Sequence, residues 1–273
     1  MAGRLRAAGC VFAEAEADLL LAAASSPAQL RAMVEQRAGG MPLEHVVGWA
    51  EFCGLRIAVG PGVFVPRRRT EFLVGLAAGG TGAGRYPAGA DPARAAGDLA
   101  GQDRPGRPVV IDLCCGSGAL GVALAAALGG ADLHAADVDP AALAWARRNV
   151  VPAGGRVHQG DLFGALPAEL RGRADILLVN VPYVPTGEIE LLPAEARDHE
   201  PRVALDGGGD GLEVLRRVAA EAAAWLAPGG RLLTEASERQ AGAAAAIVAA
   251  GGLAAQVVSD DELGATVVIG RRS

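Results

Sequence analysis

The chain has 273 residues, half of them apolar, enough for one full α/β domain with a large core and a smaller appendage. A net charge of −6 and a pI near 5.3 argue against a nucleic-acid partner, which calls for a basic face, and suit a basic protein partner instead. No apolar run is long enough to span a bilayer, Glu14, Glu16 and Asp18 break any leader-like stretch, and Cys10, Cys53, Cys114 and Cys115 form no Cys-x-x-Cys pair. A soluble, cytoplasmic chain without a metal site is therefore expected.

Residues 11–38 are predicted helical, with Leu19 to Leu21, Leu30, Met33 and Val34 as apolar faces, Ser25-Ser26-Pro27 as a start signal and Gly39-Gly40 as the end. Val46 to Val65 is apolar but broken by Gly54, Gly60 and Gly62, and predicts a β-hairpin or extended connector. A short helix is expected over Thr70 to Leu76. From Gly79 to Pro108 only Tyr86 and Leu99 are bulky and apolar, so the segment cannot bury enough surface to offset its ordering entropy. It is read as a flexible linker. Beyond Pro108, strand-like runs at 109–112, 133–137, 156–158, 176–179 and 231–235 alternate with helical runs at 119–128, 140–150, 211–226 and 238–250. Two more strands, near 255–258 and 266–269, follow. Such alternation predicts a seven-stranded, mostly parallel sheet covered on both faces, with an antiparallel pair at one edge. The expected organisation is a short helical module at 1–41, a hairpin connector at 42–76, a linker at 77–108 and an α/β catalytic domain at 109–273.

The first strand of that domain ends in Asp112-Leu113-Cys114-Cys115-Gly116-Ser117-Gly118, and a helix follows. Glycines allow a sharp turn and a close backbone approach, and the helix start supplies free N–H donors. Asp137 closes the second strand, where a carboxylate can accept from ribose hydroxyls. Gly116-x-Gly118-x-x-Gly121 also satisfies the dinucleotide fingerprint, so a nicotinamide cofactor stays open. Two features favour S-adenosylmethionine: Asp112 can reach a cationic amino-acid moiety but would repel a pyrophosphate, and Asp161 can take an adenine amino group. On that reading the domain is a Rossmann-like class I methyltransferase.

Asn180-Val181-Pro182-Tyr183 follows the fourth strand, at the strand end where ligands of open α/β sheets bind. An amide nitrogen is a poor nucleophile because its lone pair is delocalised. To methylate it, acceptors must hold its hydrogens while the lone pair points at the sulfonium methyl. Asn180 Oδ1 and the Val181 carbonyl can be those acceptors, Pro182 stiffens the turn and Tyr183 offers a flat wall.

These motifs resemble the bacterial protein-(glutamine-N5) methyltransferases, the release-factor methyltransferase family with its ribosomal-protein relative. The family carries Asn-Pro-Pro-Tyr, matched by Asn180 to Tyr183, a cofactor loop matched by Asp112 to Gly118, and a ribose carboxylate matched by Asp137. The resemblance extends through Pro42 to Gly48, Glu51 to Leu55, Pro61 to Arg67, Glu200 to Gly211 and Pro228 to Gly230. It implies cofactor contacts at Cys114, Cys115, Gly116, Ser117, Gly118, Asp161, Leu162 and Asn180, a front module that reads the protein substrate, and a glutamine acceptor in a release factor or ribosomal protein. Val181 replaces the first Pro, as in a side branch of the family. Arg68 and Arg69 stand where relatives have a Pro and an acid, and the front helical region is shorter. The alternatives are an adenine-N6 nucleic-acid methyltransferase, a small-molecule N-methyltransferase and a non-catalytic S-adenosylmethionine-binding protein. Arg67 to Arg69 is expected to be a solvated face, Glu200-Pro201 to shape a loop over the site, and His45, His134, His158 and His199 to be structural or surface residues.

Overall fold

The computed structural model of the protein describes residues 1–79 and 106–273; the expected linker falls for the most part outside the described residues. Four helices come first: α1 (Ala2–Ala7), α2 (Ala13–Ala23), α3 (Pro27–Ala38) and α4 (Leu43–Val47). Ser26 caps α3 by accepting from the Gln29 N–H, with Pro27 in the first turn, where its missing N–H costs nothing. These helices bury a small cluster of their own around Leu5, Ala17, Leu20 and Met33. The predicted helical region 11–38 is two helices, the second starting at the Ser25-Ser26-Pro27 signal. α1 and α4, at six and five residues, are too short for periodicity to reveal.

Strands β1 (Trp49–Phe52) and β2 (Leu55–Ala58) form the expected hairpin. Cys53 and Gly54 both have positive φ, the requirement of a two-residue turn that matches strand twist. A short 3-10 turn, Arg68–Thr70, leads into α5 (Glu71–Ala77).

The large sheet holds β3 (Val109–Leu113), β4 (Asp132–Asp137), β5 (Arg156–Gln159), β6 (Ala174–Val179), β7 (Leu226–Glu235), β8 (Ala254–Asp260) and β9 (Ala265–Arg271). Its order is β5-β4-β3-β6-β7-β9-β8. The first five strands are parallel, and β9 pairs antiparallel with both β7 and β8. β3 is buried along its whole length, as a central parallel strand covered on both faces must be. On one face lie α5, α6 (Ala119–Ala127), α7 (Pro140–Val150) and the hairpin. On the other lie α9 (Glu213–Trp225) and α10 (Ala241–Ala250); α8 (Ala194–His199) sits in the long connection between β6 and α9. The expected class I methyltransferase architecture is therefore the observed one, with β9 inserted beside β7 and β8 left at the edge. Strand order reverses at β3: the chain runs outward to β4 and β5, then returns to β6 on the other side. The crevice beyond the carboxyl ends of β3 and β6 is the topological switch point, where open α/β sheets bind ligands. Among the described residues no helix is long and apolar enough to cross a membrane.

Candidate active site

A cavity of about 550 Å³ opens at this switch point. Its first half is built from the loops after β3, β4 and β5. Cys114, Gly116 and Gly118 all take positive φ, so the chain folds back tightly over the end of β3. A Cβ at Gly118 would lie 2.5 Å from Val150 Cγ2, and one at Gly121 would lie 2.8 Å from Leu133 Cδ1. Asn149, buried on α7, donates to the Ser117 carbonyl at 2.8 Å and pairs with Ala58 of the hairpin through both amide atoms at 2.9 Å. The loop is thereby tied to two distant elements by one side chain.

Two carboxylates lie along this half. Asp112 is 1% exposed, and its Oδ2 accepts from the Gly121 N–H at 2.9 Å. Burial pushes its pKa up to about 7. Asp137 accepts from the N–H groups of Gly116 and Asp139, each at 2.9 Å, and its pKa is likewise raised, chiefly by burial. Among the described residues no cation pairs with either. Asp161 is different: it sits on the exposed rim in an ion pair with Arg217 at 2.6 Å. Leu162 lines the cavity with φ +47, a strained value for a side chain branched at Cγ, and Val138 and Val214 add apolar surface beside it. Cys115 and Ser117 also line the cavity but are buried in the loop.

The second half begins at the end of β6. Asn180 lines the cavity, and its Oδ1 is buried without a hydrogen-bond partner among the described residues. A buried acceptor left unmatched costs roughly 1–3 kcal/mol, so it signals a ligand donor. Val181 is buried in the core and Pro182 lines the cavity beside it. Tyr183 is fixed at both ends. Its hydroxyl donates to Glu235 Oε1 at 3.0 Å and accepts from Arg69 at 2.6 Å, while its carbonyl accepts from Gln240 Nε2 at 2.9 Å. Burial, and then the Glu235 charge, push the phenol pKa up to about 12, so the hydroxyl keeps its proton. The glycine-rich stretch 206–211 packs on the same loop: a Cβ at Gly207 would lie 2.7 Å from the Pro182 carbonyl oxygen.

Arg68 and Arg69 are exposed, as a solvated run should be, but Arg67 is half-buried, and both Arg67 and Arg69 are paired with buried acids. Arg67 pairs at 2.6 Å with Glu200, whose side chain is 1% exposed, and Arg69 pairs at 2.8 Å with Glu235, at 4%. The arginine run supplies cations to two buried acids, Glu200 in the cavity wall and Glu235 against the wall residue Tyr183, which a sequence of like charges does not reveal. Glu200 also accepts from the Val65 N–H at 3.1 Å, so it joins the segment before the arginines to the loop over the site. Its pKa is raised by burial and held back by Arg67. On the front module, Arg37 forks onto Glu16 at 2.6 Å and reaches Glu195 of α8, a cavity-lining residue, at 3.1 Å. His134 and His158 stack on adjacent strands and, like His45, lie outside the cavity lining.

Sequence reasoning missed Glu235, Gln240, Asn149 and Arg37. The first had a signal: an acid ending a buried apolar strand. The other three had none, because their partners lie 57, 91 and 158 positions away.

The cavity fits S-adenosylmethionine. Uncompensated Asp112 suits an ammonium, Asp137 suits a ribose diol, and the apolar strip of Val138, Leu162 and Val214 suits an adenine face. Residues 102–210 match the family model described as methyltransferase small domain. The chain is 38% identical to the release factor glutamine methyltransferase of Streptomyces coelicolor, over 76% of this chain and 67% of that one. It is 34% identical to the protein of the same name from Geobacter sulfurreducens, over 90% of this chain and 78% of the relative. A solved O-methyltransferase family protein from Burkholderia thailandensis is 18% identical with a TM-score of 0.46, covering 76% of this chain and 57% of that one. By its likeness to these two release factor glutamine methyltransferases the chain is an S-adenosylmethionine-dependent methyltransferase, and it belongs to their family.

Proposed function

We propose that the protein methylates the side-chain amide nitrogen of a glutamine in another protein, a release factor being the first acceptor to test. The observation that carries this reading is the unpartnered, buried Oδ1 of Asn180 at the junction of the two halves of the cavity. Bound S-adenosylmethionine supplies a methyl group already activated by its sulfonium, so the protein has chiefly to orient the acceptor.

Asp112, with no cation beside it among the described residues, takes the amino-acid end of the cofactor, and Asp137 takes the ribose hydroxyls. Cys114, Gly116, Gly118 and Leu162 let the backbone approach closely, Cys115 and Ser117 hold the loop from beneath, and Asp161 accepts from the adenine amino group at the rim. In the acceptor half, Asn180 Oδ1 and the Val181 carbonyl each accept one hydrogen of the glutamine amide. As the nitrogen gains positive charge during transfer, both hydrogen bonds strengthen, which lowers the barrier selectively. Pro182 keeps Val181 extended, so that its carbonyl stays aimed. The nitrogen loses one proton to solvent after the new N–C bond forms; no protein base is required. The charges around this half are already paired, Arg67 with Glu200 and Arg69 with Glu235, which favours a neutral amide over a cationic side chain.

Incubating the protein with radiolabelled S-adenosylmethionine and purified release factor, then mapping the label by mass spectrometry, tests the reading. Label on a glutamine side chain is the expected result. Label on nucleic acid, or on no protein in a cell lysate, would overturn it.

A further inference from the structure

We propose that Arg69 is a positioning residue for methyl transfer: its forked guanidinium holds the Tyr183 hydroxyl against Glu235 and so fixes the acceptor wall that follows Asn180. The geometry is specific. Arg69 Nε donates to Glu235 Oε1 at 2.8 Å, and its terminal nitrogen donates to Tyr183 at 2.6 Å. The next residue, Thr70, donates its hydroxyl to Glu235 Oε2 at 2.5 Å. Two successive residues of one 3-10 turn thus satisfy both oxygens of a carboxylate at the end of β7 and, through it, the phenol of the motif after β6.

An arginine suits this place for a physical reason. Glu235 is almost fully buried and requires a cation. The cation must also reach a second oxygen belonging to another residue, which a planar fork does and an ammonium point charge does less well. The neutral phenol then has one donor and one acceptor role, both used, so its hydroxyl cannot swing away from β7 without breaking two bonds. Gln240 fixes the carbonyl of the same residue. The Arg69 side chain is itself 46% exposed, so its loss opens no cavity; the consequences fall on Tyr183 and on Glu235, which is left buried without its cation.

Two independent measurements test this. The kinetic one rests on the proposed glutamine methylation. With release factor as acceptor, Arg69→Gln is expected to lower kcat by about ten- to a hundredfold, while KM and the Kd of S-adenosylhomocysteine change by less than about threefold. Arg69→Lys should recover part of kcat. In a Tyr183→Phe background, Arg69→Gln should cost less than about a further threefold, because the hydroxyl it positions is gone. An equal cost in both backgrounds, or an unchanged kcat, overturns the proposal.

The second measurement needs no acceptor. The chain has two tyrosines, Tyr86 and Tyr183, so Tyr86→Phe leaves one. With meta-fluorotyrosine incorporated, the fluorine resonance of Tyr183 should shift and narrow when Arg69→Gln is added, as the ring gains freedom. An unaltered spectrum overturns the clamp. If the wild-type protein does not methylate release factor, the reading of the substrate fails, while this spectrum still decides the role of Arg69.

Discussion

The two halves of the cavity are built on opposite principles. The cofactor half comes chiefly from one stretch of chain, Asp112 to Leu162, with Val214 added, and its buried Asp112 and half-buried Asp137 have no cationic partner among the described residues. The acceptor half draws on residues 64–70, 180–184 and 200–205, and the two buried acids that pair with it, Glu200 and Glu235, each have an arginine. A pocket wall with unmatched negative charge awaits a cation, whereas a wall whose charges are matched takes a neutral group and relies on shape. On the proposed reading the difference also divides the labour: the first half decides affinity for the methyl donor, the second decides where the acceptor nitrogen points.

The largest effect that would break this division is at Asn180. Asn180→Ala removes an acceptor that strengthens only as the nitrogen becomes positive. The expected loss in kcat is on the order of 10²–10³, the cost seen for deleting one preorganised polar partner of a developing charge. Affinity for S-adenosylhomocysteine, measured by calorimetry, should fall by less than about threefold. Parallel loss of both would show that Asn180 serves the cofactor half instead.

A change remote from both ligands sharpens the contrast. Gly211 has φ +76, and a Cβ there would lie 2.2 Å from the Tyr183 carbonyl oxygen and 2.4 Å from Gln240 Nε2. Gly211→Ala must displace the loop that carries Pro182 and Tyr183. Transfer is expected to drop by on the order of tenfold to a hundredfold, with binding of S-adenosylhomocysteine preserved. Gly118→Ala, whose Cβ would strike Val150 behind the cofactor loop, should show the reverse order, with binding lost first. Identical profiles for the two variants would mean that the halves are not separable.

The same contrast explains what was legible in the sequence. The cofactor half was readable because glycines, a strand-end acid and a helix start are local signals, and β3 to β7 showed the alternation of a parallel sheet. Asn180 to Tyr183 was readable as a motif at a strand end. The pairings that shape the acceptor half were not: Arg69 meets Glu235 across 166 positions, and Arg67 meets Glu200 across 133. Three adjacent arginines look like a solvated face until the fold brings buried acids to two of them. α4 was hidden for another reason, since five residues cannot display a helical period.

A third test acts on the unmatched charge itself. The Asp112 pKa rises from the ordinary 3.8 to about 7 on folding, because burial disfavours the carboxylate. The folded state therefore binds the proton more tightly than the unfolded one. Below about pH 4 the acid is protonated in both states and costs nothing; between about pH 4 and 7 the unfolded chain ionises while the folded one keeps the proton, so stability falls, and above about 7 the loss is complete. Asp112→Asn keeps an oxygen for the Gly121 N–H and removes the charge. Without cofactor, the variant should match the wild type near pH 4 and exceed it by roughly 2–4 kcal/mol near pH 8 in denaturant unfolding. With S-adenosylmethionine present the order should reverse, since the variant has given up its partner for the ammonium. A stability difference independent of pH would show that Asp112 is compensated after all.

The smallest effect is expected where the cofactor half itself carries a matched pair. Asp161 and Arg217 meet at 2.6 Å, yet both side chains are more than half exposed, so water and salt screen them. Asp161→Asn should change stability by less than about 0.5 kcal/mol, a melting shift of about 1–2 °C. The amide retains an oxygen that can accept from an adenine amino group, so affinity for S-adenosylmethionine should fall only about two- to fivefold, the difference between a charged and a neutral acceptor. Arg217→Gln, which frees Asp161 without removing it, should leave affinity unchanged or raise it slightly, because the carboxylate is then shared with no one. If Arg217→Gln instead weakens binding as much as Asp161→Asn does, the pair acts as one unit. The rim would then obey the matched-charge rule of the acceptor half, and the boundary between the two principles would run through the adenine end of the cavity rather than beside Asn180.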